Sequence, residues 1–220
     1  MRKTLLILVI ALLSMGAMFG QYIVNFEGAA ETKASYASGT VNLSGMDWNM
    51  TEALIGNLPA DWKNGTKSAR MKGSGTSSMS MLADKASGLG TLSFQYRRYG
   101  TDTQVDWKAE YSTDGGTNWT QIGTAFTAPA SDEVQTFSSA VNVSGNVRVR
   151  IKRATESGTS NNRLNIDDIT LTDYAGSIPT INVSGTLPEF SAYTGTPSGS
   201  EAYMLKIGRA SCRERVYHPV

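Results

Sequence analysis

Between Val105 and Ser112 the chain alternates strictly: Val105, Trp107, Ala109 and Tyr111 are separated by Asp106, Lys108, Glu110 and Ser112. A period of two marks a strand with one buried face. The run leads into Asp114-Gly115-Gly116, where glycines supply the positive φ of a tight hairpin turn, and Trp119 opens the return strand. This register points Trp107, Tyr111 and Trp119 into a core. Similar strand patterns run over Tyr22–Glu27, Ser68–Lys72, Ser78–Leu82, Gly90–Arg97 and Val147–Lys152, with shorter pieces at Val134–Phe137 and Val141–Val143. The stretch Thr51–Leu54 reads as a single helical turn between Trp48 and Leu58. In the last segment, Arg163–Leu171, the phase changes, because Leu164 and Ile166 share one face and Ile169 and Leu171 the other. A β-bulge at Asp167-Asp168 would restore the phase and re-aim a carboxylate. Eight or nine short strands with turn signals and no long helical period predict an all-β, antiparallel jelly-roll β-sandwich over 21–174.

The two ends carry different patterns. Met1-Arg2-Lys3, the apolar run Leu5–Leu13 and the small residues up to Gly20 have the layout of a signal peptide over 1–20, too short in its apolar part to span a bilayer. The protein is thus expected to be secreted or to sit at the cell surface, with no membrane span after cleavage. Residues 175–180 read as a linker. Residues 181–205 read as the start of a second β-sandwich domain, too short to bury a core alone. Ile207–Val216 resembles the conceptual translation of a sequencing adapter, so 206–220 is set aside as an artefact and the protein is expected to continue beyond about Leu205.

Charge and chemistry sharpen this picture. Without the two ends the chain holds 14 basic and 18 acidic residues, a net charge near −4, which does not suggest a nucleic-acid binder. The only cysteine, Cys212, and the only histidine, His218, lie in the adapter-like tail. The body therefore forms no disulfide and offers neither imidazole nor thiol for catalysis or metal binding. It must be held by its core, and a domain of about 150 residues buries about 68–70% of its unfolded surface. A two-carboxylate glycosidase is disfavoured: Asp106 and Glu110 share a strand face but lie about 13 Å apart at about 3.3 Å per residue, and the pair must span about 5–9.5 Å.

Phe26-Glu27, Trp48, Lys63-Asn64-Gly65-Thr66-Lys67-Ser68-Ala69-Arg70, Glu110-Tyr111-Ser112 with Trp119, and Ile166-Asp167-Asp168-Ile169 together resemble the jelly-roll accessory modules of secreted Bacteroidota proteins. These are similar to MAM-like and carbohydrate-binding-module-like sandwiches. The resemblance implies an accessory module beside an enzyme or surface domain. It also implies that the first and last strands lie side by side and share a structural Ca2+ at Glu27 and Asp168, with Asp167 beside them. The other reading of these carboxylates is a Glu27 that caps a turn and an Asp pair that faces solvent. The segment 179–203 resembles a domain found beside extracellular nucleases and sorting tails.

Trp48, Trp62, Tyr99 and Tyr36 have polar or loop-like neighbours and are the candidates for stacking on sugar faces, against the alternative of packed loop residues. Arg148, Arg150 and Lys152, joined by Arg97 and Arg70, offer either a polyanion site or a solvated strand face paired with Asp106 or Glu110. The expected function is an exported, monomeric, non-catalytic module that binds polysaccharide or another cell-surface ligand. The alternatives are the accessory part of a secreted hydrolase, such as a nuclease, and a structural or adhesion spacer.

Overall fold

The protein is represented by a computed structural model that describes residues 20–156 and 159–176. They belong to the first of two compact units, Met1–Gly176; the second is Ser177–Val220. The expected signal peptide (1–20) apart from Gly20, the expected start of a second β domain (181–205) and the adapter-like tail (206–220) lie outside the described residues.

Among the described residues, twelve strands form two sheets: β1 (Gln21–Val24), β2 (Gly39–Leu43), β3 (Met46–Thr51), β4 (Ala53–Gly56), β5 (Ser68–Ser74), β6 (Ser78–Met81), β7 (Leu89–Arg98), β8 (Trp107–Ser112), β9 (Thr120–Phe126), β10 (Gln135–Val143), β11 (Arg148–Arg153) and β12 (Thr159–Thr172). One six-stranded sheet runs β10-β7-β12-β5-β4, with β1 also on β12, and the other runs β2-β3-β6-β11-β8-β9. Every pairing is antiparallel, and the inner faces of the two sheets share one hydrophobic core. The all-β sandwich expected from the alternation is the architecture found.

Burial follows the period of two. Val149, Ile151, Trp107, Ala109, Met79, Trp48 and Met50 point inward from the second sheet and are fully buried. Phe94 and Tyr96 on β7, Phe137 on β10 and Phe126 on β9 join the two sheets through an aromatic cluster. Phe94 stacks on Phe137 at 4.8 Å, and Phe126 lies 4.7 Å from Tyr96 and 5.3 Å from both phenylalanines. Such pairs add about 0.5–1.5 kcal/mol each beyond their buried area.

Local details depart from the sequence reading in three places. Thr51–Leu54 is not a helical turn. Glu52 takes φ 49° and separates β3 from β4, at the corner where the chain leaves one sheet for the other. A helical turn needs consecutive right-handed residues, and here the carbonyl of Glu52 instead accepts the amide of Lys72 and the hydroxyl of Ser77. A β2–β3 hairpin stands where the sequence reading places no strand pair, and Ser44-Gly45 carries it with φ 48° and 88°, the two positive values of a type I′ turn. The pieces at 134–137 and 141–143 belong to one strand, β10, with a register shift between Ala140 and Val143.

The bulge in β12 has a clear cause. Along one edge, β12 pairs with β5 as far as Ile166↔Ala69 and then with β1 from Ile169↔Val24. Asp167 and Asp168 occupy the gap between these two partners. The register with β7 shifts there, and Asp168 takes φ 51°.

Candidate functional site

The gap beside the bulge gathers the three carboxylates singled out in the sequence. Glu27, just past β1, accepts the amides of Thr66 at 2.8 Å and Lys67 at 3.1 Å on Oε1, and the Thr66 hydroxyl at 2.5 Å on Oε2. These bonds, led by the Thr66 hydroxyl, hold its carboxyl below the usual range. Asp167 is fully buried; its Oδ2 accepts the amide of Asn64 and its Oδ1 the amide of Asp168, both at 2.8 Å. Burial pushes its pKa up to about 7; the two amides pull against it, and the nearby charges of Asp168 and Glu27 add to the rise. Asp168 accepts the side-chain amide of Asn64 at 2.7 Å. All three carboxylates thus clasp the turn Asn64–Lys67. Their oxygens suit a hard cation chemically, yet here they face N–H and O–H donors, and among the described residues no three acidic, histidine or cysteine side chains converge on one point.

The four aromatic candidates divide. Trp48 is fully buried in the core, with its indole N–H donated to the hydroxyl of Tyr22 at 2.9 Å, so it offers no face to a sugar. Its apolar neighbours across the strand ladder, not the polar residues beside it in sequence, set its environment. Tyr36 and Tyr99 do come together, around Arg70, whose guanidinium lies 5.8 Å from the first ring and 4.8 Å from the second. Lys72 sits 4.6 Å above Tyr36 and Arg163 4.0 Å above Tyr99. Both rings are therefore engaged by the protein's own cations. Arg70 and Arg163 are in turn paired with Asp61 and Asp102. Trp62 is half-buried, its backbone pinned between the side chains of Asn165 and Ser68.

A different surface is open. Outward-facing residues of the second sheet form a row across all six strands: Thr40, Asn49, Ser80, Arg150, Glu110 and Gln121 are successive cross-strand partners. A second row, Thr51, Ser78, Lys152 and Lys108, runs beside it. At about 4.8 Å per strand the first row spans about 24 Å. Near its middle lies an open depression of about 240 Å³, lined by Thr76, Ser78, Ser80, Arg150, Lys152 and Glu156. The hydroxyls of Ser78 and Ser80 have no hydrogen-bond partner among the described residues, as the side-chain bonds of the sheet pass them by.

The charged members of this face are fixed by mutual pairing. Glu110 receives Lys108 on Oε1 at 2.8 Å and Arg150 on Oε2 at 2.5 Å. Burial would raise its pKa, but the hydrogen bonds from Lys108 and Arg150 outweigh that and leave the carboxyl below its usual range. A carboxyl held ionised in this way is a poor general acid. Arg148 pairs with Asp84 at 2.5 Å, and Lys152 with Glu156. Arg150 also lies 4.2 Å over the ring of Trp119, whose indole N–H is donated to Gly116. Trp119 therefore stands on the outer face of the sheet, against the inward register expected for it. The register sets Tyr111 opposite Thr120 and Ala109 opposite Ile122, so the inward positions are odd on β8 and even on β9, and Trp119 shares the outward face of Gln121. Asp106, the other expected partner of the bases, accepts the hydroxyl of Thr127 instead.

No known family profile matches the chain, and no curated protein sequence does. Solved structures with a similar layout include the CBM22-1 xylan-binding domain from Paenibacillus barcinonensis, at 9% identity and TM-score 0.47, covering 71% of this chain and 95% of that one. The K1 cleaved adhesin domain of Lys-gingipain from Porphyromonas gingivalis W83 matches at 12% identity and TM-score 0.47, covering 69% and 97%. A family 29 carbohydrate-binding module from Piromyces equi matches at 14% identity and TM-score 0.44, covering 71% and 91%. Similarities of this size assign neither a ligand nor a binding residue to this chain.

Proposed function

We propose that the protein is an extracellular, non-catalytic module that binds a polysaccharide laid across the outer face of the second sheet. The observation that carries this reading is the uninterrupted polar row from Thr40 to Gln121, with the open depression at its centre and the unpartnered hydroxyls of Ser78 and Ser80. A sugar chain presents repeated hydroxyls, and a row of hydroxyl, amide and charged groups at strand spacing meets them with repeated donors and acceptors. Recognition then rests on hydrogen bonding more than on stacking, since no tryptophan, tyrosine or phenylalanine is among the exposed large hydrophobic residues described. Affinity electrophoresis of the full chain through gels containing soluble polysaccharides tests the reading. Retardation by at least one polymer supports it, and migration unchanged in all of them overturns it.

The carboxylates at the β12 bulge support a second, structural element of the same reading, a bound Ca2+. Its donors would come from Glu27, Asp167 and Asp168, three acids around one turn, whose oxygens would have to exchange the N–H and O–H donors they face here for the ion. Its role would be to brace the Asn64–Lys67 turn between β1, β5 and β12. A thermal melting midpoint that stays unchanged after chelation would remove calcium from the account.

A further inference from the structure

We infer that the depression on the second sheet selects carboxylated sugars, uronic acid residues within a polysaccharide, and that Glu156 occupies the place of the sugar carboxylate when no ligand is bound. The inference rests on the polysaccharide reading of the same face and adds the charge class of the ligand.

Its basis is an asymmetry in the pairing. Three cations, Lys108, Arg150 and Lys152, lie on adjacent positions of β8 and β11. One fixed acid, Glu110, serves the first two with both of its oxygens, and its side chain is only 7% exposed. Glu110 contacts Arg150 at Nε, and neither terminal nitrogen of the guanidinium has an acceptor among the described residues. The ring of Trp119 supports the same guanidinium at 4.2 Å. Arg150 is thus braced on two sides while its terminal fork, the part that matches a carboxylate in two parallel hydrogen bonds, stays available.

Lys152, two residues along the same face of β11, is neutralised differently. Its partner Glu156 has a side chain 80% exposed, against 13% for Lys152 itself. A largely solvated carboxylate, even on a largely covered ammonium, is held loosely and is readily exchanged for another carboxylate. Both cations and Glu156 line the one depression, next to the unpartnered hydroxyls of Ser78 and Ser80. A site offering a guanidinium fork, an ammonium and two hydroxyls fits a sugar ring that carries one carboxylate and several hydroxyls. The same groups give no reason to prefer a neutral ring. The acids interleaved on this face, Glu110, Asp84 and Glu156, balance most of its positive charge, which favours single carboxylates held at fixed positions over a densely charged polymer.

The test is calorimetric titration of the full chain with oligogalacturonate and oligoglucuronate, beside their neutral galactose and glucose counterparts, at 50 and 300 mM salt. Uronate oligomers should bind at least tenfold more tightly than the neutral ones. Lys152→Gln and Arg150→Lys should each weaken uronate binding about tenfold while leaving the melting temperature in place; the second keeps the charge and loses only the fork. Glu156→Gln should strengthen uronate binding several-fold by removing the internal competitor, an effect with no counterpart in a purely structural role. Neutral oligosaccharides binding as well as uronates would overturn this inference and leave the polysaccharide reading standing. Absence of binding to either class would overturn both. Equal or stronger binding to dextran sulfate or single-stranded DNA, with a steep loss between the two salt concentrations, would also overturn it in favour of a general polyanion surface.

Discussion

Replacing Asp167 by asparagine isolates the cost of the acid cluster at the β12 bulge. Asp167 is fully buried, and its pKa stands near 7 against 3.8 for the free side chain. A carboxyl whose folded pKa is raised binds its proton more tightly in the native state than in the unfolded chain. Its contribution to stability is therefore complete below about pH 4 and is lost as the pH climbs to about 7, beyond which the curve is flat. A shift of about three pH units corresponds to about 4 kcal/mol at most, taking about 1.36 kcal/mol per unit; relaxation and water entry reduce this to an expected 2–3 kcal/mol, in line with effective dielectric values above that of a dry interior. Asparagine has no charge to lose, so the variant should lack this slope. It keeps one acceptor where Asp167 has two, one for Asn64 and one for Asp168, so it should carry a pH-independent penalty of about 1 kcal/mol. The assay is urea denaturation of both proteins in chelator from pH 4.5 to 8.5. The stability of Asp167→Asn relative to wild type should rise by about 2–3 kcal/mol across that range. Parallel curves would refute the argument, because Asp167 would then carry the same charge in both states. Repeating the series with excess Ca2+ should flatten the wild-type curve if the ion holds Asp167 ionised.

Other expectations follow from the same structure. Phe126→Ala opens the aromatic cluster that joins the sheets and should cost about 3–5 kcal/mol in denaturant unfolding; a loss below 1 kcal/mol would show that the cluster does not connect the sheets as described. Trp48→Phe removes a fully buried indole and its bond to Tyr22, and should lower the melting temperature without changing ligand affinity at temperatures where the variant is folded. Trp119→Ala should reverse that pattern, sparing most of the stability and weakening ligand binding several-fold by freeing Arg150; unchanged affinity would remove Trp119 from the site. The hairpin cap Asp114 has its pKa lowered to about 2, first by the amide of Asn118. Its stabilising contribution is present above about pH 4 and is lost as the pH falls through 2, so the protection factor of the Asn118 amide, its exchange rate corrected for the intrinsic rate at each pH, should fall over that window and stay constant above it.

The alternation at Val105–Ser112 and Val147–Lys152 was enough to orient β8 and β11, because each has one face in the core and one in solvent. The bulge at Asp167-Asp168 was visible for the same reason: a break in the period of two can be repaired only by an extra residue. Side chains whose neighbours come from distant strands were harder to place. Trp48 has polar residues beside it in sequence, yet the ladder seats it between Val41 and Met81, both core residues. Tyr36 and Tyr99 were recognisable as loop aromatics, but nothing local shows that Arg70, Lys72 and Arg163 would cover their rings. The inward reading of Trp119 extends the β8 period through the turn, whereas the length of that turn moves the inward set from odd positions on β8 to even positions on β9. The sheet face itself was partly legible. Ser78 and Ser80 alternate with Met79 and Met81, which sends both serines outward, but their alignment with Arg150 and Lys152 depends on the β6–β11 register, a contact between residues about 70 positions apart.

The sheet-face site is tested most directly by blocking it. Ser80 sits at the centre of the polar row, and Ser138 is an exposed strand residue on β10 of the opposite sheet. Ser80→Phe and Ser138→Phe each add one aromatic ring to a solvated strand position, where such residues are well tolerated. Titration of the full-length variants with the polysaccharide that most retards the wild type should show binding lost in Ser80→Phe and retained in Ser138→Phe. Binding retained in Ser80→Phe, or lost only in Ser138→Phe, would contradict the account.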